Sequence, residues 1–359
     1  MSRGVFVIAE AGVNHNGDLG LGKQLIDIAA RAGAGAVKFQ TFQAARLVTA
    51  DAPKAAYQRQ TTDPTQSQHE MLQRLELSPS DHEVLIDHAH GRGIDFLSTP
   101  FDTVSVDLLT QQFGLRTIKV GSGDVTNAPL LLAVARSADR VILSTGMSNL
   151  AEVEEALAAL AFGFTAAAER SPNPTSFAQA FASAEGKAAL RERVTLLHCT
   201  TEYPAPFGDV NLRAMTTLSE AFGVPVGYSD HTPGIHVALA AVARGARVIE
   251  KHVTVDRTLP GPDHAASLEP EELYRMVCQI RELEDALGDG RKHPTPSEWQ
   301  NRDVARKSLV AARPILAGEA FTEDNLTCKR PGTGLSPTLY WSYLDRSASR
   351  AYATDEMIE

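Results

Sequence analysis

Short runs rich in Val, Ile and Leu alternate along the chain with longer segments whose apolar residues recur at helical spacing. The runs VFVIAEAG, AVKFQT, DFLSTP, TIKVGS, RVILSTG, VTLLHC, PVGYSD and VIEKHVT read as strands. Between them LGKQLIDIAARAGA (21–34), AEVEEALAALAF (151–162) and HVALAAVARGA (236–246) read as helices, and EPEELYRMVCQIRELEDALG (269–288) follows the eighth strand. Eight strands, each followed by a helix, predict an α/β fold of the (β/α)8 TIM-barrel type. A doubly wound open sheet usually has fewer strands, and no GxGxxG follows the first strand here.

Two connections are long. Residues 42–79 follow strand two and so lie at the C-terminal face of the barrel, where a substrate-covering loop belongs. Residues 163–190 follow the fifth helix and emerge at the opposite face, as a peripheral insertion. Beyond residue 288 the texture changes to polar, Pro-containing GDGRKHPTPSEWQNRDVAR and then to short strand-and-turn patterns. The expected organisation is a catalytic barrel over 1–288, a linker over 289–305 and a small domain over 306–359.

Side chains alternate faces along a strand, which lets the barrel interior be read from parity. In strand seven Val224, Val226 and Tyr228 belong to the helix side, leaving Ser229 and His231 inside. In strand eight Ile249, Lys251 and Val253 share the outer parity, so Glu250 and His252 point inward. Strand two offers Lys38 and Gln40, strand three Ser98, strand four Lys119, strand five Ser144 and strand six His198. Barrel interiors are normally filled by branched apolar residues, so polar residues at several strand ends point to an active site at the C-terminal face.

This set supports particular chemistry. His231 and His252 end adjacent strands, which lie about 4.8 Å apart, so both imidazoles reach one cation. Two imidazoles completed by water and substrate oxygens suit Mn²⁺ among first-row metals. The same two rings also serve as a hydrogen-bonded pair without metal, or either as a general base. Lys38 and Lys119, with Ser98, Ser122, Ser144 and the GSG turn at 121–123, form a pocket for a phosphate or carboxylate. Either lysine is also a candidate Schiff-base nucleophile. Glu10, ending strand one, is a candidate acid/base, a hydroxyl acceptor or the ion-pair partner of a lysine, and Asp263 falls in a turn after strand eight.

Charge and composition narrow the partners. With 34 basic against 44 acidic residues the net charge is −10, which argues against nucleic-acid binding but not against an anion held by a few lysines. No apolar run approaches the roughly 18 residues of a membrane span, and Glu10 interrupts the only apolar run near the N-terminus. Cys199, Cys278 and Cys328 are far apart and fit no CxxC pattern, so a reduced, cytoplasmic protein is expected.

The segments IAEAGVNHNG, AVKFQTF, STPFD, IKVGSGDVTN, ILSTGM, LLHCTTEYPAP, VNLRAM, GYSDHTPG, VIEKHVTVDRTLPGPDHAAS, TPSE and ARKSLVA…KRPGTGLSP run in order through nearly the whole chain. Together they resemble the sialic acid synthase family, which includes N-acetylneuraminate and legionaminate synthases. The tail from about residue 306 resembles that family's antifreeze-like (SAF) domain. The resemblance implies condensation of phosphoenolpyruvate with an N-acylated mannosamine-type sugar and release of phosphate. The first expectation for the sugar is N-acetylmannosamine, with 2,4-diacetamido-2,4,6-trideoxymannose as the alternative. The resemblance further implies Mn²⁺ or Mg²⁺ held by His231 and His252, and phosphoenolpyruvate held by Lys38, Lys119, Ser122 and Ser144. Glu10, Gln40, Tyr203, Glu250 and Asp263 would surround the sugar, the reacting carbons and the attacking water. Arg330 would reach the sugar's acyl group across a domain-swapped homodimer. The turn GSGD, with Asp124, departs from the family's usual GSGE or PSGE. Two other readings compete: a Schiff-base aldolase on the same barrel, and a protein that binds ice or polysaccharide through its tail.

Overall fold

The computed structural model describes residues 4–63, 65–167 and 169–359. Its first compact unit, Met1–Gly288, is built on eight parallel strands. They are β1 (Phe6–Gly12), β2 (Ala36–Thr41), β3 (Asp95–Pro100), β4 (Thr117–Val120), β5 (Arg140–Ser144), β6 (Val194–His198), β7 (Val226–Asp230) and β8 (Val248–His252). The order β3-β2-β1-β8-β7-β6-β5-β4 keeps every strand beside its sequence neighbour, and β3 and β4, the ends of that order, lie side by side. The sheet therefore rounds into a nearly closed barrel, the expected fold. An open sheet would need a switch point in strand order, and there is none.

The helices form where the apolar period is 3.6. Leu19–Arg31 starts at Asp18, whose carboxylate accepts from the Leu21 amide and so satisfies one of the free N–H groups of the first turn. It buries Leu25, Ile26, Ile28 and Ala29 against the strands. Pro270–Leu287 begins with Pro at its first turn, where no hydrogen bond is lost. The segment 163–190 is mostly helical: Leu150–Thr165 runs into it, and Pro174–Ala182 and Ala184–Arg193 follow. Phe177 meets Phe162 edge to face at 5.2 Å, so the insertion extends the apolar layer outside β5 and β6. Among the described residues no helix is long and apolar enough to cross a membrane.

Inside the barrel the side chains are layered. The floor is an apolar plug of Ile8, Ala36, Leu97, Ile142, Leu197 and Val248. Two residues further along the same strands, on the same face, stand Glu10, Lys38, Thr99, Ser144, Cys199 and Glu250. One more step of two brings Gly12, Gln40, Phe101, Gly146, Thr201 and His252.

This layering corrects two expectations. Ser98 lies on the outer face, its Oγ 2.6 Å from Thr41 Oγ1, which in turn meets His82 Nε2 at 2.8 Å. Thr99 takes the inward place. His198 also faces outward, bonding the Val210 carbonyl at 2.6 Å and packing beside Tyr228, while Cys199 faces in.

The second unit, Asp289–Glu359, contains the helix Pro296–Ala305 within the polar segment that was expected to be a linker. Its strands β9 (Ser308–Ala311) and β10 (Leu326–Lys329) pair antiparallel. Leu309, Ile315, Phe321, Leu326, Tyr352 and Ile358 form a separate core. Arg330 follows β10 and is exposed.

Candidate active site

A cavity of about 520 Å³ opens above the plug at the C-terminal ends of the strands, lined wholly by the first unit. Of the residues singled out in the sequence, Glu10, Lys38, Gln40, Lys119, Ser122, Ser144, Tyr203, His231, Glu250, His252 and Asp263 line it together. Arg330 belongs to the second unit. Asp124, the departure in the GSGD turn, bonds Asn127 at 2.9 Å and is not part of the lining.

Four buried charges occupy the floor. Lys38 Nζ lies 2.5 Å from Glu10 Oε2 and 3.7 Å from Glu250 Oε2, and Lys119 Nζ lies 3.7 Å from Glu250 Oε1. Lys38 also donates to Thr99 Oγ1 at 3.1 Å, and Lys119 to Ser144 Oγ at 2.7 Å. Two cations thus face two carboxylates at 2–5 % side-chain exposure, where charge is costly unless paired. Burial works against both lysines: in Lys38 the two glutamates overcome it and raise the pKa, whereas Lys119 stays lowered. The glutamates also diverge. Burial, helped by Glu250 and opposed by Lys38, lifts Glu10 to about 7, while for Glu250 burial is outweighed by Lys119 and Lys38 and its pKa falls. One carboxyl is poised near neutral pH and its neighbour stays ionised, an arrangement suited to proton transfer.

The rim is built by local backbone devices. β1 bulges between Glu10 and Gly12, and Gly12 has φ +52°. A Cβ there would stand 3.1 Å from Glu10 Oε1 and 3.4 Å from both Asp263 Oδ2 and Gln40 Nε2. Glycine therefore turns the chain and leaves free the space where three polar groups converge. Gln40 Nε2 donates to Glu10 Oε1 at 3.4 Å, a long bond that holds the carboxyl's outer oxygen. Burial raises Asp263 to about 6.

His231 and His252 stand with ring centroids 5.5 Å apart, and Tyr203 packs 4.1 Å from the first and 5.4 Å from the second. Burial keeps both neutral, lowering His231 to about 4 and His252 well below its usual value. His231 Nδ1 is 2.6 Å from the Thr200 carbonyl, which can only accept, so Nδ1 carries the proton and Nε2 keeps its lone pair. His252 Nδ1 is buried, makes no hydrogen bond and lies 3.5 Å from Asp263 Oδ2. Two neutral imidazoles, one with an unsatisfied nitrogen, fit a divalent cation. Among the described residues no group of three or more His, Cys, Asp or Glu side chains is arranged for a metal, so water or substrate would complete the shell.

Three contributors were not legible in the sequence. Thr99 and Thr201 line the cavity, the latter with a buried Oγ1 that makes no hydrogen bond. The connection 42–79 supplies an apolar wall of Leu47, Val48, Ala56, Met71 and Leu72, continued by Val13 and Phe101. Met71 and Leu75 anchor it against Val13 and Phe42 in a small core of its own. The helical spacing 68–75 hinted at this wall, but nothing local showed which face meets the cavity.

The sequence pattern of the NeuB family matches residues 25–292, and that of the SAF domain matches residues 306–347. The chain is 51% identical over 352 residues to N,N'-diacetyllegionaminic acid synthase from Campylobacter jejuni, covering 98% of each. It is 44% identical over 335 residues to the protein of the same name from Legionella pneumophila, covering 93% of this chain and 87% of that one. Among solved structures, N-acetylneuraminic acid synthetase from Leptospira borgpetersenii superposes with a TM-score of 0.66 at 34% identity, over 83% of this chain and 90% of that one.

Proposed function

We propose that this chain, which belongs to the NeuB family, condenses phosphoenolpyruvate with the open-chain form of 2,4-diacetamido-2,4,6-trideoxymannose and releases phosphate. The observation that carries the reaction is the floor of the cavity, where two buried lysines stand beside a carboxyl poised near neutral pH and a pair of neutral histidines. Lys38 and Lys119 would offset the phosphate and carboxylate charges of phosphoenolpyruvate, with Ser122 and Ser144 as hydrogen-bonding partners. Glu10 and Glu250 already balance those lysines, so the arriving anion favours the protonated form of Glu10.

The balanced reaction follows from the substrates. Phosphoenolpyruvate C3 bonds to the sugar's aldehyde carbon, whose oxygen takes a proton and becomes a hydroxyl. Water adds at C2 and gives up a proton to Glu10, which passes it to the aldehyde-derived oxygen. The C2–O bond to phosphate then breaks as the C2 hydroxyl loses its proton to the departing phosphate, and a 2-keto acid remains. Manganese or magnesium, held by His231 and His252, would supply Lewis acidity toward the aldehyde oxygen. Tyr203 packs on both rings and fixes their orientation. Gln40 steadies Glu10, Asp263 is assigned to the sugar, and Glu250 holds Lys38 and Lys119 beneath the reacting carbons.

Two observations support the trideoxy sugar over N-acetylmannosamine. The relatives at 51% and 44% identity are both N,N'-diacetyllegionaminic acid synthases. The wall of Leu47, Val48, Ala56, Met71 and Leu72 offers a 6-deoxy methyl an apolar seat, and Gln58 and Gln68 of the same connection line the cavity as polar partners for a 4-acetamido group. An apolar pocket rejects an added hydroxyl by about 10², so kcat/KM should favour the trideoxy sugar by about 10-fold to 200-fold. Phosphate release measured with each sugar checks this, and an equal or reversed preference removes the assignment.

Arg330 is assigned to the acyl group of the sugar in the partner's barrel, in a domain-swapped homodimer. Arg330→Ala and Glu10→Gln protomers, each nearly inactive alone, should then complement on mixing. Only half the dimers are mixed and each has one intact site, so about a quarter of wild-type activity returns. No recovery would place Arg330 over its own barrel or away from the reaction.

A further inference from the structure

The outer face of the barrel, where β7 and β8 meet the helices, is the place for apolar side chains, and Tyr228 and Ile249 follow that rule. Asp230 and Lys251 break it. They are paired in register across β7 and β8, both side chains are fully buried, and Lys251 Nζ meets Asp230 Oδ2 at 2.9 Å. The pair is tied into the turn that follows β7. Asp230 Oδ1 accepts from the Thr232 amide at 2.9 Å and from its hydroxyl at 2.8 Å, and Lys251 also donates to the Thr232 carbonyl.

Each member sits one residue before a histidine of the site. Asp230 precedes His231, Lys251 precedes His252, and Thr232 follows His231. His231 is thus bracketed on both sides by residues fixed to β8. On the inner face Ser229 bonds Glu250 at 2.9 Å, one register step nearer the floor. A buried ion pair is a poor source of stability, because desolvation offsets its attraction and apolar residues of the same shape often serve as well or better. What it provides here is register: a charged, hydrogen-bonded bridge that admits one separation of the two strand ends.

We propose that Asp230 and Lys251 are a positioning pair that presets the spacing of His231 and His252 from outside the barrel. The inference rests on the metal reading above, and Mn²⁺ binding to the full-length protein, followed by the electron paramagnetic resonance of free Mn²⁺, separates the two. Wild type should bind Mn²⁺ and His252→Ala should not; a wild type that does not bind removes the metal reading and this inference with it. The double variant Asp230→Leu/Lys251→Met removes both charges at similar volume but leaves the buried Thr232 amide, hydroxyl and carbonyl without partners, so its melting temperature should fall and Mn²⁺ binding is measured well below it. Its Mn²⁺ Kd should rise by about tenfold or more, the usual effect of losing support behind a ligand. A folded double variant with the wild-type Kd overturns the proposal. Thr232→Val deletes only the hydroxyl bond to Asp230 and keeps both charges, so it reports even if the double variant does not fold. Its Kd should rise about threefold on the same grounds, and an unchanged Kd counts against the pair.

Discussion

Glu10→Gln lowers kcat by about 10² to 10⁴, the range associated with one positioned acid–base group, and changes the KM for phosphoenolpyruvate by only a few-fold. The substitution preserves shape and leaves Lys38 and Lys119 to hold the anion, while removing the group that accepts the proton of the adding water. The pH profile carries a second signature. Burial lifts Glu10 to about 7, and a base works only when deprotonated. Wild-type kcat/KM should therefore rise as pH passes upward through about 7, the kcat limb should lie higher because the bound anion favours protonated Glu10, and the Gln variant should lack both limbs. Steady-state kinetics between about pH 5 and 9, about two units either side of 7, measure both. An unchanged kcat, or a limb that survives in the variant, retires Glu10 as the proton carrier.

His252→Ala should lose the metal and with it most of the activity. A bound cation contributes several kcal/mol toward charge developing on oxygen, which corresponds to a loss on the order of 10² to 10⁴ in kcat/KM. Exhaustive removal of divalent metal from wild type should give a similar loss, and the two effects should not add. Phosphoenolpyruvate affinity should hold within a few-fold, because the lysines that meet it are intact. Full activity of wild type after chelation, with residual metal verified as absent, contradicts the assignment of His231 and His252.

The layering of the barrel explains what was legible in the sequence. β2, β7 and β8 each set a bulky apolar face against the helices, so parity alone puts Lys38, Ser229 and Glu250 inward, whereas Glu10 is legible only from its place at the end of strand one. The errors fell where that contrast fails. β6 reads Val194-Thr195-Leu196-Leu197-His198, apolar on both faces because Leu197 belongs to the plug and Leu196 to the outer layer. With no contrast, His198 could not be assigned a side. In β3 Ser98 and Thr99 are adjacent and polar, and the choice between them depends on the partner that Thr41 of β2, itself bonded to His82, offers on the outer face. Lys251 could be placed outside the barrel from the sequence, but its partner could not. The register Asp230↔Lys251 is a property of two strands together. The apolar wall from 47–72 was hidden for the same reason, since its meaning depends on which turn faces the cavity.

The most direct test follows phosphoenolpyruvate labelled with ¹⁸O in the bridging C2–O–P position, with Mn²⁺ and 2,4-diacetamido-2,4,6-trideoxymannose. Attack of C3 on the aldehyde, water addition at C2 and C–O cleavage predict sugar-dependent phosphate that carries the label. Label retained in the keto acid, or phosphate released equally without sugar, would contradict the proposed reaction.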